Sequence, residues 1–334
     1  MLTLAIVGAG YWGRNLIRIF SHHAAVRLKY IVDTNPKLLE QYSGEAEVVG
    51  QLDCREMLAD SEVDAVVIAT PAVTHFEIAR DALIAGKHVF VEKPMTLQAE
   101  HAEELVRIAD ENNLRLMVGH LLLYHPCIET IRGYITNGDI GDVYYLYCQR
   151  LNLGKVRSDE NALLSFAPHD ISIALYLMGE NPTSVSAYGQ SYLQEGVEDV
   201  VFMNMHFPGN RIAHIHVSWL DPHKVRRTTV VGSKKMVVFD DMEPREKIKI
   251  YDKGVEKSSN YGSYGEFLSL RDGNIYLPAI KMTEPLQIEC NHFIDCIENG
   301  RTPLSDGRNG LMVTKVLACA QRSLKNRGVP VVVE

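Results

Sequence analysis

Apolar residues follow two rhythms along this chain, and the change between them divides it. Up to about Val118, short apolar runs alternate with stretches whose apolar positions recur every three or four residues. Residues 2–7, 27–32, 65–69, 89–91 and 114–118 are the runs, and they predict strands buried on both faces. Residues 14–21, 54–60, 74–85 and 98–112 carry helical spacing; Thr74 is a candidate N-cap and Gly86 a C-cap. Strands alternating with helices predict a doubly wound parallel sheet over residues 1–120.

From residue 121 the rhythm changes. A helix over about 127–137 leads to stretches with period-two alternation at 143–150, 183–192, 200–207, 212–219, 227–231, 235–240 and 247–251. Pro208-Gly209-Asn210 and Asp252-Lys253-Gly254 mark two of the turns. Most connections are too short for crossover helices, so residues 121–334 are expected to form a mostly antiparallel open sheet with flanking helices. One face of the 212–219 strand carries Ala213, Ile215, Val217 and Trp219, the other His214 and His216. No carboxylate or cysteine stands at a matching place, so that face is read as a polar surface meeting another subunit, not a metal site. Residues 258–278, rich in Ser, Gly, Tyr and Asn, read as a long loop near the site. Helices over 285–298 and about 306–324 close the chain and are expected to pack across both domains.

Composition narrows the classes. A chain of 334 residues exceeds one ordinary core, and 46% hydrophobic with 23% charged residues is a soluble globular balance. A net charge of -8 leaves no basic footprint for nucleic acid. The six cysteines are scattered without metal-type spacing, which suits reduced thiols in the cytoplasm. The longest apolar stretch, 114–124, is broken by Arg115, Gly119 and His120 and is too short to span a bilayer. Met1-Leu2-Thr3 runs into a strand with no basic leader, so a cytoplasmic protein away from membranes is expected.

The chemistry starts at Gly8-Ala9-Gly10-Tyr11-Trp12-Gly13, a G-x-G-x-x-G pattern between a strand and a helix. The first glycine permits the turn, the second lets a pyrophosphate approach, and the third lets helix and strand pack closely. The next strand ends in Asp33, where a carboxylate binds the adenosine ribose hydroxyls and repels a 2′-phosphate. The expected cofactor is therefore NAD, held by a Rossmann domain. Thr70-Pro71 and Glu92-Lys93-Pro94 end two further strands, on the edge of an open sheet where ligands bind. Tyr11, Trp12, Thr70, Pro71, His75, Glu92, Lys93 and Pro94 complete the expected cofactor contacts, and Lys93-Pro94 is a candidate cis bond. In the second domain Ser165-Phe166-Ala167-Pro168-His169-Asp170 is expected to open a helix over 171–178. A helix start disfavours positive charge, so His169 is expected to be a neutral base, with Asp170 an acidic first-turn residue.

Gly8-x-Gly10-x-x-Gly13, Glu92-Lys93-Pro94 and Pro168-His169-Asp170 together resemble the Gfo/Idh/MocA family of NAD(P)-dependent sugar oxidoreductases, over essentially the whole chain. The resemblance implies that Lys93 and His169 flank the reacting carbinol, with the base role open between them. Ser165 stands where the family often has aspartate, which removes an Asp–His relay and turns the expectation away from inositol and glucose-type substrates. Residues 119–126, 150–157 and 161–170 resemble the branch acting on UDP-N-acetylglucosamine or its uronate, which oxidises the C3 hydroxyl to a 3-keto sugar. An aminotransferase would then make a 3-amino sugar for lipid A or surface polysaccharide. The substrate contacts expected are Lys93, Tyr124, His125, Arg150, Lys155, Arg157, Ser165 and His169, with Arg150, Lys155 and Arg157 on the pyrophosphate. A homodimer or homotetramer is expected. The open alternatives are a 3-ketoreductase of nucleotide-linked deoxysugars and a non-catalytic NAD- or sugar-binding regulator.

Overall fold

The structure, a computed structural model, describes residues 1–42, 48–154, 156–158, 160–257 and 268–334. The chain divides into two compact units, Met1–Tyr124 with Thr283–Lys315, and His125–Met282 with Val316–Glu334.

The strands of the first unit are β1 (Leu2–Val7), β2 (Val26–Val32), β3 (Val49–Gln51), β4 (Ala65–Ile68), β5 (His88–Glu92) and β6 (Leu116–Gly119); five carry the apolar runs, and β3, exposed at Val49 and Gly50, was not expected. They form one sheet in the order β3-β2-β1-β4-β5-β6, every pairing parallel. Helices α1 (Gly13–Ser21), α2 (Pro36–Leu39), α3 (Arg55–Ala59), α4 (His75–Ile84) and α5 (Ala99–Glu111) lie between the strands in sequence. Consecutive residues of both parities are buried, as at Val89, Phe90 and Val91, because both faces of the sheet are covered. Burying such side chains stabilises the fold by about 1.5–3 kcal/mol each. The strand order reverses between β1 and β4, which opens the ligand crevice of this architecture. Register aligns Val7, Ile68, Val91 and Val118, so Gly8, Ala69, Glu92 and Gly119 follow on one edge. In the same unit, α8 (Pro285–Glu298) packs on α1 and on the 3-10 turn Leu121–Tyr124.

The second unit opens with α6 (Pro126–Thr136), β7 (Val143–Leu151) and α7 (Ala162–Met178). The strands β8 (Ser184–Gln190), β9 (Val200–Phe207), β10 (Arg211–Ser218), β11 (Val225–Gly232), β12 (Met236–Asp240) and β13 (Ile248–Tyr251) follow. A hairpin of β14 (Gly254–Lys257) and β15 (Leu268–Arg271), then β16 (Ile275–Tyr276) and β17 (Val331–Val332), complete the strands described. The large sheet runs β16-β13-β12-β11-β7-β10-β9-β8-β17; β7 pairs with β10 in parallel and its other pairings are antiparallel. Helix α7 packs on β7, β9 and β10, whose Leu146, Cys148, Met203, Ala213, Ile215 and Val217 are buried. On the alternate positions of β10, His214 sits 2.9 Å from the Asn204 amide oxygen and His216 stacks on Phe202 at 4.3 Å. No group of His, Cys, Asp and Glu suited to a metal ion occurs among the described residues.

Three expectations need correction. Residues 258–267 lie outside the described part, but 268–271 and 275–276 are short strands held by backbone pairing, not loop. Helix α7 begins at Ala162, because the Asn161 side chain accepts from Leu164 N at 3.1 Å and caps it. Pro168, read as a helix opener, is therefore inside the helix, and so are His169 and Asp170. Inside α7 the helix dipole gives His169 no reason to be neutral. The six cysteines are free thiols, and no helix of the described residues is long and apolar enough to cross a membrane. The last helix, α9 (Gly307–Lys325), contains the boundary between the units.

Candidate active site

The glycine turn is dictated by sterics. Gly8 has φ +98°, and a Cβ there would lie 2.6 Å from the Ala69 carbonyl oxygen. A Cβ on Gly13 would lie 1.9 Å from the Gly8 carbonyl oxygen, so α1 can approach the turn only with glycine at that place. A Cβ on Gly10, by contrast, would meet nothing within 4 Å, which leaves the open space a pyrophosphate requires. Tyr11 is 89% exposed beside it. Asp33 accepts from Ala9 N at 2.8 Å and from Asn35 N at 2.9 Å, so its carboxylate braces the turn and keeps lone pairs for ribose hydroxyls. These residues fit an adenine dinucleotide without a 2′-phosphate. Asp33→Ala is expected to weaken NAD binding roughly 10- to 100-fold, the worth of hydrogen bonds to a charged group, and to relax discrimination against NADP. Fluorescence titration with both cofactors checks it, and an unchanged preference would reject the ribose assignment.

At the neighbouring strand ends, several expected residues come together. The Thr74 hydroxyl is 2.8 Å from both Thr70 Oγ1 and the Pro71 carbonyl. His75, 1% exposed, has Nδ1 2.8 Å from the Pro94 carbonyl and Nε2 2.9 Å from the Thr70 carbonyl. Both its ring nitrogens face main-chain oxygens, so it ties the two turns together. Glu92 ends β5 and accepts from the Trp12 indole N–H and from Lys93 N, the latter at 3.2 Å. Burial pushes the Glu92 carboxyl up to about 7, against the Trp12 bond and the charge of Lys93. The bond between Lys93 and Pro94 is cis. Trp12, Glu92, Lys93, Pro94, His75 and the Thr70-Pro71 turn thus form one connected edge.

Two groups in this unit were missed by the sequence reading. His120 follows Gly119, the register partner of Glu92, and both its ring nitrogens are buried without a hydrogen-bond partner among the described residues. Burial first, and the charge of Lys93 second, hold its imidazole down to about 3. Glu289 is also wholly buried, with both oxygens unpartnered among the described residues; burial and then Glu92 raise its carboxyl well above the usual range. A signal existed for Glu289, which falls on the apolar stripe of α8 with Leu286, Cys290, Phe293 and Ile294. His120 carried only its place after a buried strand.

His120 gives a pH prediction. Its folded value lies below the ordinary imidazole value, so the unfolded chain binds more protons between about pH 6.5 and 3. Its contribution is intact above pH 6.5 and is lost as pH falls, by about 3 kcal/mol at pH 4.5. Glu92 acts oppositely between about pH 4.5 and 7, where the folded protein binds more protons. Urea unfolding of wild type and His120→Leu isolates the histidine: the stability difference should shift toward the variant on acidification, and a pH-independent difference would refute it.

Among the remaining expected residues, Tyr124, His125 and Arg150 make structural bonds. Tyr124 is buried in the first unit, its hydroxyl 2.9 Å from Ser305 Oγ; burial, followed by Glu289, raises its pKa. In the second unit His125 is the N-cap of α6, Nδ1 accepting from Cys127 N at 3.1 Å, and burial lowers its pKa. Arg150 was expected on a pyrophosphate. Its guanidinium is instead buried and grips Asp170 at 2.7 and 3.0 Å, tying β7 to α7 beside His169. Asp170, expected as an acidic first-turn residue, is 2% exposed inside α7. Arg157 pairs with Glu160 at 3.0 Å, while Lys155 lies outside the described residues. Ser165 and His169 are half-buried on α7, and the His169 carbonyl accepts from Ser172 Oγ at 2.8 Å.

This architecture and glycine turn define a class, and comparison with known proteins agrees. Residues 2–120 match the model described as "Oxidoreductase family, NAD-binding Rossmann fold", and residues 128–238 match the GFO/IDH/MocA C-terminal domain. The chain belongs to the Gfo/Idh/MocA family and is an NAD-binding oxidoreductase. Among individual proteins it is 29% identical over 324 residues to the UDP-N-acetylglucosamine 3-dehydrogenase of Acidithiobacillus ferrooxidans, covering 96% of this chain and 95% of that one. A solved structure of that organism's UDP-N-acetylglucosamine 3-dehydrogenase superposes with a TM-score of 0.81 at 25% identity, over 97% and 98% of the two chains. The inositol 2-dehydrogenase of Rhizobium meliloti is 25% identical over 98% of each chain.

Proposed function

We propose that this protein is an NAD-dependent dehydrogenase of a UDP-N-acetyl amino sugar, oxidising the C3 hydroxyl of UDP-N-acetylglucosamine to the ketone. The redox chemistry of the reading rests on one observation: Lys93 follows β5 at the crevice edge, on a turn fixed by Glu92 and His75. The substrate rests on the likeness to the Acidithiobacillus enzyme over nearly the whole chain. NAD, when bound, supplies the hydride acceptor. Gly8, Gly10, Gly13 and Asp33 hold its diphosphate and adenosine ribose. Lys93 keeps an ammonium on the hydroxyl oxygen and stabilises the charge that develops there. His169 is the group proposed to remove the hydroxyl proton. Arg157 and Lys155 are the cations proposed for the UDP pyrophosphate. Arg150 is dropped from that role because its fork is engaged with Asp170.

The 3-keto product is proposed as the substrate of an aminotransferase that makes a 3-amino sugar for lipid A or surface polysaccharide, in the cytoplasm. The polar face of the large sheet, where Tyr145, Tyr188 and Phe202 are 44%, 60% and 41% exposed, is proposed to meet a second copy; a monomer by light scattering would oppose that. The reading is tested by following NAD reduction with UDP-N-acetylglucosamine, its uronate, a UDP-deoxysugar and myo-inositol. UDP-N-acetylglucosamine should give the highest kcat/KM. Turnover of myo-inositol alone would overturn the substrate assignment.

A further inference from the structure

The turns at the ends of β4 and β5 share one tie. His75 opens α4, is buried, and places Nδ1 2.8 Å from the Pro94 carbonyl and Nε2 2.9 Å from the Thr70 carbonyl. Both partners only accept. A neutral imidazole has one N–H, so it can bond one carbonyl while the other faces a ring lone pair. Burial holds the ring below its ordinary pKa and the charge of Lys93 adds to that, although the two carbonyls pull the other way. The ring is neutral near pH 7, and its single proton must take one side.

The two sides are not equivalent. The Thr70-Pro71 turn has a second tether in the Thr74 hydroxyl, which reaches Thr70 Oγ1 and the Pro71 carbonyl. Among the described residues the Pro94 carbonyl has no hydrogen-bond partner besides His75. The Thr70 carbonyl is likewise served only by His75 among the described residues, but its turn keeps the Thr74 tether, whereas a proton on Nδ1 makes its bond one residue from Lys93.

We propose that His75 is a positioning residue for Lys93: its Nδ1–H holds the Pro94 carbonyl and fixes the turn from which the lysine projects. This rests on the reading of Lys93 as the group that binds the reacting oxygen. His75 acts through the turn, beside two further groups that face Lys93, Glu92 and His120.

Three variants separate the two ring nitrogens. His75→Asn places an amide N–H where Nδ1 stands, within reach of the Pro94 carbonyl. His75→Gln extends its amide toward the Nε2 side and the Thr70 carbonyl, and His75→Leu keeps bulk with neither donor. The Asn variant should keep kcat within about threefold of wild type. The Gln and Leu variants should lose on the order of tenfold or more in kcat, because displacing a reacting group by ~1 Å is worth up to 10²-fold. NAD affinity should hold in all three.

A readout independent of turnover is the labelling rate of the Lys93 amine by an N-hydroxysuccinimide ester, followed by peptide mass spectrometry. It should change in the Leu variant and stay near wild type in the Asn variant. Equal loss of kcat in all three variants, tracking equal loss of thermal midpoint, would reduce His75 to packing and overturn the proposal. So would an unchanged Lys93 labelling rate in the Leu variant. If Lys93→Ala keeps full turnover while labelling still responds to His75, the catalytic reading of Lys93 fails and the positioning of the turn stands.

Discussion

Lys93→Ala and His169→Ala are each expected to lower turnover ~10²-fold or more while leaving NAD binding intact. The two residues stand in unrelated settings. Lys93 leaves the end of a strand buried from Val89 to Glu92, on a turn set by Glu92 and His75. His169 sits inside α7, next to an aspartate locked onto β7. Alanine at either position removes a side-chain head group without disturbing Gly8, Gly13 or Asp33, which carry the cofactor turn. Cofactor affinity and turnover should therefore separate, with the loss in kcat. Steady-state kinetics beside NAD titration read the two quantities. A variant with near-normal turnover would remove its residue from the chemistry.

Asp170→Ala is expected to destabilise the protein by about 3–5 kcal/mol, the cost of leaving a buried charge without its partner. Arg150 is 9% exposed and Asp170 2%, and the fork makes two bonds to the carboxylate. Removing the carboxylate leaves the guanidinium buried with nothing opposite. Replacing both together, as Arg150→Met with Asp170→Leu, removes the stranded charge as well and should restore much of the loss. Urea unfolding of the three proteins decides it. Equal stability of the single and double variants would mean that the pair matters for shape alone.

Much of this was legible in the sequence, and the misses share a cause. The inner strands of the first sheet could be read because they are buried on both faces, so hydrophobicity alone marks 65–69 and 89–91. Strand β3 and helix α2, three and four residues long, are too short to carry a period. Pro168 misled because proline is common at the first position of a helix. The local hydrogen bond from Leu164 N to the Asn161 side chain had already started that helix. Among site residues, backbone demands such as Gly8 and Gly13 were readable from spacing. Pairings between distant segments were not: nothing in one dimension says that Arg150 meets Asp170, or that His75 faces two carbonyls. Those depend on register, and register appears only when the sheet is assembled.

One substrate atom decides the central reading. UDP-N-acetylglucosamine carrying deuterium at C3 should slow NAD reduction against the unlabelled sugar, and the deuterium should be recovered in the reduced cofactor. If the label stays in the sugar and the rates match, oxidation does not occur at that carbon. The pairing of this lysine and histidine with a C3 hydroxyl would then be wrong.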